Sequence, residues 1–219
     1  GWHNSSGKSE DPVQRRNYID ALLANFDIVG TCELGADAVI EDEMGAAAKK
    51  LRDGYRVCFA HGARAKTGMA LLVSNRLPSV SMNVLYRDSE DPAVAVADRG
   101  HTLIATVDVQ GRLPLLIVLS HAPPDSSDKP RRAYFEHLLK VVQEKAAPDP
   151  KRPERRTIWM GDFNMEEDRD ADAIEMGSAS TDRERMIEAY AKVCAALGST
   201  AAGGLQDAYT ITHPEGGAT

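Results

Sequence analysis

The sequence predicts an α+β fold, a mixed sheet system with helices on the outside, and three observations lead there. Residues 101–120 read as two apolar strands about a Gly111-Arg112 turn, which is an antiparallel hairpin. Elsewhere, segments with helical spacing alternate with short apolar runs, so the sheet is not purely antiparallel and not purely parallel. The chain has 219 residues of which 42% are hydrophobic, enough to bury one sizeable core, and it suits a single domain over 1–219 better than two.

The elements follow in order. Val13, Ile19, Leu22, Leu23 and Phe26 share one face of a helix opened by Asp11 and Pro12. Asp27 to Glu33 is a short apolar strand that ends on a carboxylate. Asp42 to Asp53 reads as helical, Tyr55 to Ala60 as extended, and Gly68 to Ser74 as a fully buried strand, being apolar without alternation. Ser79 to Tyr86 is a further strand, and His101 to Gln110 alternates at Leu103, Ala105, Val107 and Val109. Pro114 to Ser120 is almost wholly apolar and delivers His121-Ala122-Pro123-Pro124 at its end. Pro130 to Ala146 carries Phe135, Leu138, Leu139 and Val142 at helical spacing. The Pro- and charge-rich stretch Pro148 to Arg156 is a loop inside a domain. Thr157 to Met160 is the last apolar run, and a helix around Asp182 to Leu197 turns Met186, Ile187, Tyr190, Val193 and Leu197 inward.

Composition excludes several classes. No apolar run approaches the ~18 residues of a membrane span, and Gly1 to Asp11 lacks the apolar centre of a signal peptide. Cys32, Cys58 and Cys194 are odd in number and lack metal-ligand spacing, which fits reduced thiols inside a cell, nuclear or cytoplasmic. A net charge of −7 argues against coating nucleic acid by bulk electrostatics. It leaves room for local basic rims such as Lys129, Arg131 and Arg132, which follow the His121 loop and would contact phosphate or simply be solvated.

Chemistry gathers at strand ends. Trp159-Met160-Gly161-Asp162-Phe163-Asn164 places a carboxylate and a carboxamide on a glycine turn after an apolar run, where open sheets keep ligand sites. The same residues would also close a strand as a plain Asx turn. Glu33 offers oxygen to a hard cation such as Mg²⁺ or pairs with an arginine. His121 is a phosphate donor, an acid, or a capped loop residue. The acidic stretch from Glu166 to Asp172 lacks the glycine and alternating oxygen ligands of a calcium loop and reads as a solvated face. Gly7-Lys8-Ser9 lacks both the preceding glycine and the strand of a nucleotide-binding loop. Together these residue types suit phosphodiester cleavage by an activated water, with a divalent cation and donors to the phosphate oxygens.

In their order the motifs resemble the endonuclease/exonuclease/phosphatase family. They are Asn4-Ser5-Ser6-Gly7, a strand ending at Cys32-Glu33, the strand Gly68 to Ser74, His121 two residues before Pro123, and Gly161-Asp162-Phe163-Asn164. The resemblance implies a four-layer α/β/β/α sandwich of two mixed sheets with outer helices. It implies that Glu33 binds Mg²⁺, with Mn²⁺ an alternative, close to Asn4. Asp162 would handle the nucleophilic water, Asn164 and His121 would hold the phosphate, and Arg131 is a further substrate-binding candidate. Leu205-Gln206-Asp207-Ala208-Tyr209 and His213-Pro214 look most like the endonucleases of non-LTR retrotransposons, so DNA is the expected partner. Alternatives are a phosphatase or lipid phosphodiesterase of the same family, or an inactive remnant. Met165-Glu166 stands where inositol polyphosphate phosphatases typically carry Tyr-Arg. Two departures matter: Cys32 replaces the usual Gln, and neither a first strand before Asn4 nor a terminal Ser-Asp-His motif is present. The expectation is a domain truncated at both ends with little or no nuclease activity as the 219-residue polypeptide.

Overall fold

The computed structural model describes residues 21–34, 53–60, 68–88, 101–123, 128–147, 155–165 and 181–198; of Glu33 and Leu34 only the backbone is described. Among the described residues seven strands follow one another: β1 (Ile28–Leu34), β2 (Tyr55–Ala60), β3 (Gly68–Ser74), β4 (Ser81–Arg87), β5 (His101–Asp108), β6 (Leu115–His121) and β7 (Arg156–Asp162). Two helices, α1 (Asp128–Lys145) and α2 (Thr181–Leu197), flank β7 in sequence, and residues 21–25 are helical. The expected strands at Tyr55–Ala60 and Gly68–Ser74 have those bounds. The strand expected from Ser79 begins at Ser81, because Ser79 adopts φ 47° in the turn before it. The helix expected over Asp42 to Asp53, apart from its end, and the acidic stretch Glu166 to Asp172 lie outside the described residues.

The strands form two sheets. One is ordered β1-β3-β2, with both described pairs antiparallel; the other is ordered β4-β5-β6-β7 and is mixed, its last pair parallel. The parallel step needs a long crossover, and α1 supplies it between β6 and β7. The β5–β6 hairpin pairs His101 with His121 and Val107 with Leu115, and Arg112 N donating to Val109 O at 3.0 Å closes its turn.

Side-chain alternation sorts the residues into layers. Leu103, Ala105, Val107, Ile117 and Leu119 of the mixed sheet meet Met69, Leu71 and Val73 of the other sheet in the central core. On the mixed sheet's opposite face, Ile104, Leu116 and Val118 pack against Phe135, Leu138 and Val142 of α1 and Met186 and Val193 of α2. The outer face of the first sheet, with Ala70 and Leu72, is covered by Leu22 and Leu23 of the helical segment. The order of layers is helix, sheet, sheet, helix. Strand β3 touches both of its neighbouring layers, which is why all seven of its residues are buried and why its sequence shows no alternation.

One close approach aligns the two sheets at the functional end. A Cβ at Gly30 would lie 2.7 Å from Met160 Sδ and 2.9 Å from Leu119 Cδ1, so β1 lies directly over β6 and β7. Cys32 Sγ accordingly reaches Ser120 O at 3.7 Å. The carboxyl ends of β1 and β6 therefore meet at one rim of the sandwich.

Candidate active site

Strands β6 and β7 run parallel and in step, so their last residues, His121 and Asp162, are register partners. Both were expected just past a strand; the structure makes each the terminal strand residue. Ala122 N then donates to Asp162 O at 2.8 Å, extending the ladder one step past His121. His121 is buried and lies tilted against His101, its partner on β5, with ring centroids 6.4 Å apart. Asp162 is exposed.

The turn after β7 is tightly specified. Gly161 sits at φ 140°, and an added Cβ would fall 1.8 Å from Ser120 O, so no other residue fits. Asp162 Oδ1 accepts the Asn164 N–H at 2.9 Å, which is the Asx turn foreseen as the alternative reading. The turn brings Asn164 back over the strand ends, so it coincides with the candidate site. Asn164 adopts φ 48°, a region asparagine tolerates better than most residues. Its Nδ2 donates to Ala122 O at 2.7 Å, which commits one of its two amide hydrogens to the His121 loop. The carboxamide thus spans the two strand ends.

Beneath this rim lies a polar layer that sequence reasoning missed. Trp159 Nε1 donates to Ser120 Oγ at 2.9 Å. Tyr134 of α1 donates its hydroxyl to His101 O at 3.1 Å and lies 3.0 Å from Thr102 Oγ1. Burial pushes the Tyr134 phenol far above the usual tyrosine range, the hydrogen bonds to Ser120 and Thr102 opposing that only in part. Asp88, also buried, accepts the Thr102 N–H. The sequence signal was available in Tyr134, a polar aromatic on the apolar face of a helix and one that needs a partner when buried.

The remaining candidates fall differently. Arg131 reaches from α1 to the Asn164 turn. Its Nη1 donates to Asn164 O and its Nη2 to Asp128 Oδ1 at 2.7 Å, with the side chain 13% exposed. Glu33 ends the same β1 rim one residue beyond Cys32, while its side chain and all of Asn4 lie outside the described residues. Among the described residues no group of three or more His, Cys, Asp or Glu side chains could hold a metal ion. No described helix is long and apolar enough to cross a membrane.

The described residues thus form an α/β/β/α sandwich whose strand ends collect an imidazole, a carboxylate and a carboxamide. The chain belongs to the Endonuclease/Exonuclease/phosphatase family, whose model matches residues 1–174. Among solved structures, truncated TDP2 of Caenorhabditis elegans superposes with a TM-score of 0.50 at 18% identity, covering 74% of this chain and 59% of that one. ANGEL2, described as a 2',3'-cyclic phosphatase, gives a TM-score of 0.48 at 16% identity, covering 68% of this chain and 42% of its own. A family member from Beutenbergia cavernae gives 0.41 at 17% identity, covering 73% of this chain and 44% of its own. The TDP2 likeness shows the shared fold, and the chain spans 59% or less of the length of each of these structures. A search of curated proteins returned no match.

Proposed function

We propose that the protein is a metal-dependent phosphodiesterase that cleaves DNA by attack of an activated water. The observation that carries the reading is the pairing of His121 with Asp162 at the ends of β6 and β7, with Asn164 folded across both. It assembles the residue types that phosphodiester hydrolysis needs at one rim of the sandwich.

Asp162 is the group for the water. One carboxylate oxygen holds the Asn164 N–H, and the residue is exposed, which leaves the other oxygen to take a proton from water. Asn164 contributes an uncharged amide donor, and His121 a buried imidazole at the end of β6. Glu33 and Asn4 are the residues that would hold the cation; their oxygens are the hard donors that Mg²⁺ or Mn²⁺ prefers. When bound, the cation neutralises charge that develops on the phosphate oxygens. The choice of DNA is supported by the likeness of Leu205 to Tyr209 and His213-Pro214 to retrotransposon endonucleases.

The test is single-turnover cleavage with protein in excess, comparing supercoiled plasmid, a labelled phosphodiester oligonucleotide and p-nitrophenyl phosphate. Mg²⁺-dependent cleavage of the two diesters, suppressed by chelator, supports the reading. Turnover of the monoester alone would replace it with a phosphatase.

A further inference from the structure

We propose that Asp128 is a positioning residue that couples the outer helix α2 to the conformation of Asn164, acting through Arg131. Asp128 is the first residue of α1, and its carboxylate stands between two guanidinium groups. Oδ1 accepts from Arg131 Nη2 at 2.7 Å, and Oδ2 lies 3.3 Å from Nε of Arg183, which is in the first turn of α2. The carboxylate and Arg131 are only 12% and 13% exposed, so the pair is screened little by solvent. From the other edge of its fork, Arg131 donates to Asn164 O. The planar guanidinium fixes both bonds at once, which a lysine could not do.

The coupling matters because Asn164 is held from three directions in a sparsely populated backbone region. Its N–H is on Asp162, its side chain on Ala122 and its carbonyl on Arg131. A residue at φ 48° persists where its surroundings over-determine it. The first two tethers belong to the strand ends; the third is the one that comes from the helix layer. Without Asp128, Arg131 loses the acceptor that orients its fork, and the grip on Asn164 loosens. The inference rests on the reading of Asn164 as a phosphate donor for its consequence in catalysis. The coupling itself does not depend on that reading.

A merely structural role predicts something else. The Arg132–Asp182 pair joins the same two helices without touching the turn, so Arg132→Met is the matched control. The experiment follows hydrogen exchange of the Asn164 amide by NMR, together with kcat and KM for bis(p-nitrophenyl) phosphate with Mn²⁺, in Asp128→Asn, Arg183→Met and Arg132→Met. Asp128→Asn and Arg183→Met are expected to speed exchange at Asn164 by about fivefold or more, the effect of weakening one hydrogen-bonded tether, and to lower kcat with KM nearly unchanged. Arg132→Met is expected to lower the melting temperature while leaving Asn164 exchange and kcat at wild-type values. Arg183, at 29% exposed the less enclosed of the two partners, keeps the test open if Asp128→Asn does not fold. Unaltered exchange at Asn164 in Arg183→Met, or an equal change in Arg132→Met, overturns the proposal. If the wild-type protein hydrolyses nothing, the phosphodiesterase reading fails while the exchange result still decides the coupling.

Discussion

His121 and Asp162 are held in register at the ends of parallel strands, and the Ala122 N–H donated to Asp162 O at 2.8 Å locks the step between them. Two residues separated by the whole α1 crossover thus become neighbours through backbone pairing alone. Their side chains need no contact with each other to share a rim, so substitution of the exposed Asp162 should affect chemistry more than folding.

Asp162→Asn is the clearest case. The carboxamide keeps an oxygen to accept the Asn164 N–H, so the turn survives and the melting temperature should stay within a few degrees of wild type. Loss of the base should lower hydrolysis by about 10²–10⁴-fold. Thermal melts and single-turnover rates on the same preparation check both halves.

Gly161→Ala tests the backbone. The residue stands at φ 140°, and the new methyl would fall onto Ser120 O, which belongs to the neighbouring strand of the same pair. Strain of ~1–3 kcal/mol adds to a clash that only main-chain movement relieves. The melting temperature should drop by at least ~6 °C, given roughly 2–4 °C per kcal/mol for a chain of this size. A melt indistinguishable from wild type would contradict the geometry of the turn.

Much of this was legible in advance. Tyr55–Ala60 and Gly68–Ser74 carried their strand bounds in plain view because their apolar runs end abruptly at turn residues. Asp162 and Asn164 were visible as a strand-end pair, but their local patterns left an Asx turn and a site as rivals. In the structure the Asx turn forms, and it is what carries the carboxamide back to Ala122. What pattern reading could not reach were contacts made across layers. Arg131 read as a phosphate contact or a solvated residue after the His121 loop, with nothing to indicate its partners Asp128, one helical turn away, and Asn164, brought close only by the β6–β7 register. Tyr134 gave no hint of His101 and Thr102, which lie on a strand more than thirty residues earlier.

Tyr134→Phe removes a buried hydroxyl and leaves His101 O and Thr102 Oγ1 short of a partner, a loss of about 1–3 kcal/mol. Its pH signature has a definite sign. The folded phenol titrates well above its ordinary value of 10.0, so the neutral form is the one the fold accepts. Below that ordinary value the group adds no pH dependence. As pH rises past it the unfolded chain ionises first, and stability falls by up to about 1.4 kcal/mol per unit until the folded phenol also titrates. Urea midpoints measured from pH 8 to 11 should therefore fall more steeply for wild type than for Tyr134→Phe.

Glu33→Gln addresses the cation. It keeps the size of the side chain at the end of β1 and removes the charge a hard divalent ion needs. The metal concentration for half-maximal hydrolysis should rise by about 10-fold or more, with the fold unchanged by circular dichroism.

The most direct test of the account is the Mg²⁺ dependence of phosphodiester cleavage under single-turnover conditions, wild type beside Asp162→Asn, with protein in excess and long incubation so that slow cleavage registers. A metal-dependent phosphodiesterase with Asp162 as its base gives first-order cleavage that requires Mg²⁺ or Mn²⁺, stops on chelation and is lost in Asp162→Asn. Cleavage at equal rates in the two proteins, or cleavage that survives chelation, would contradict it.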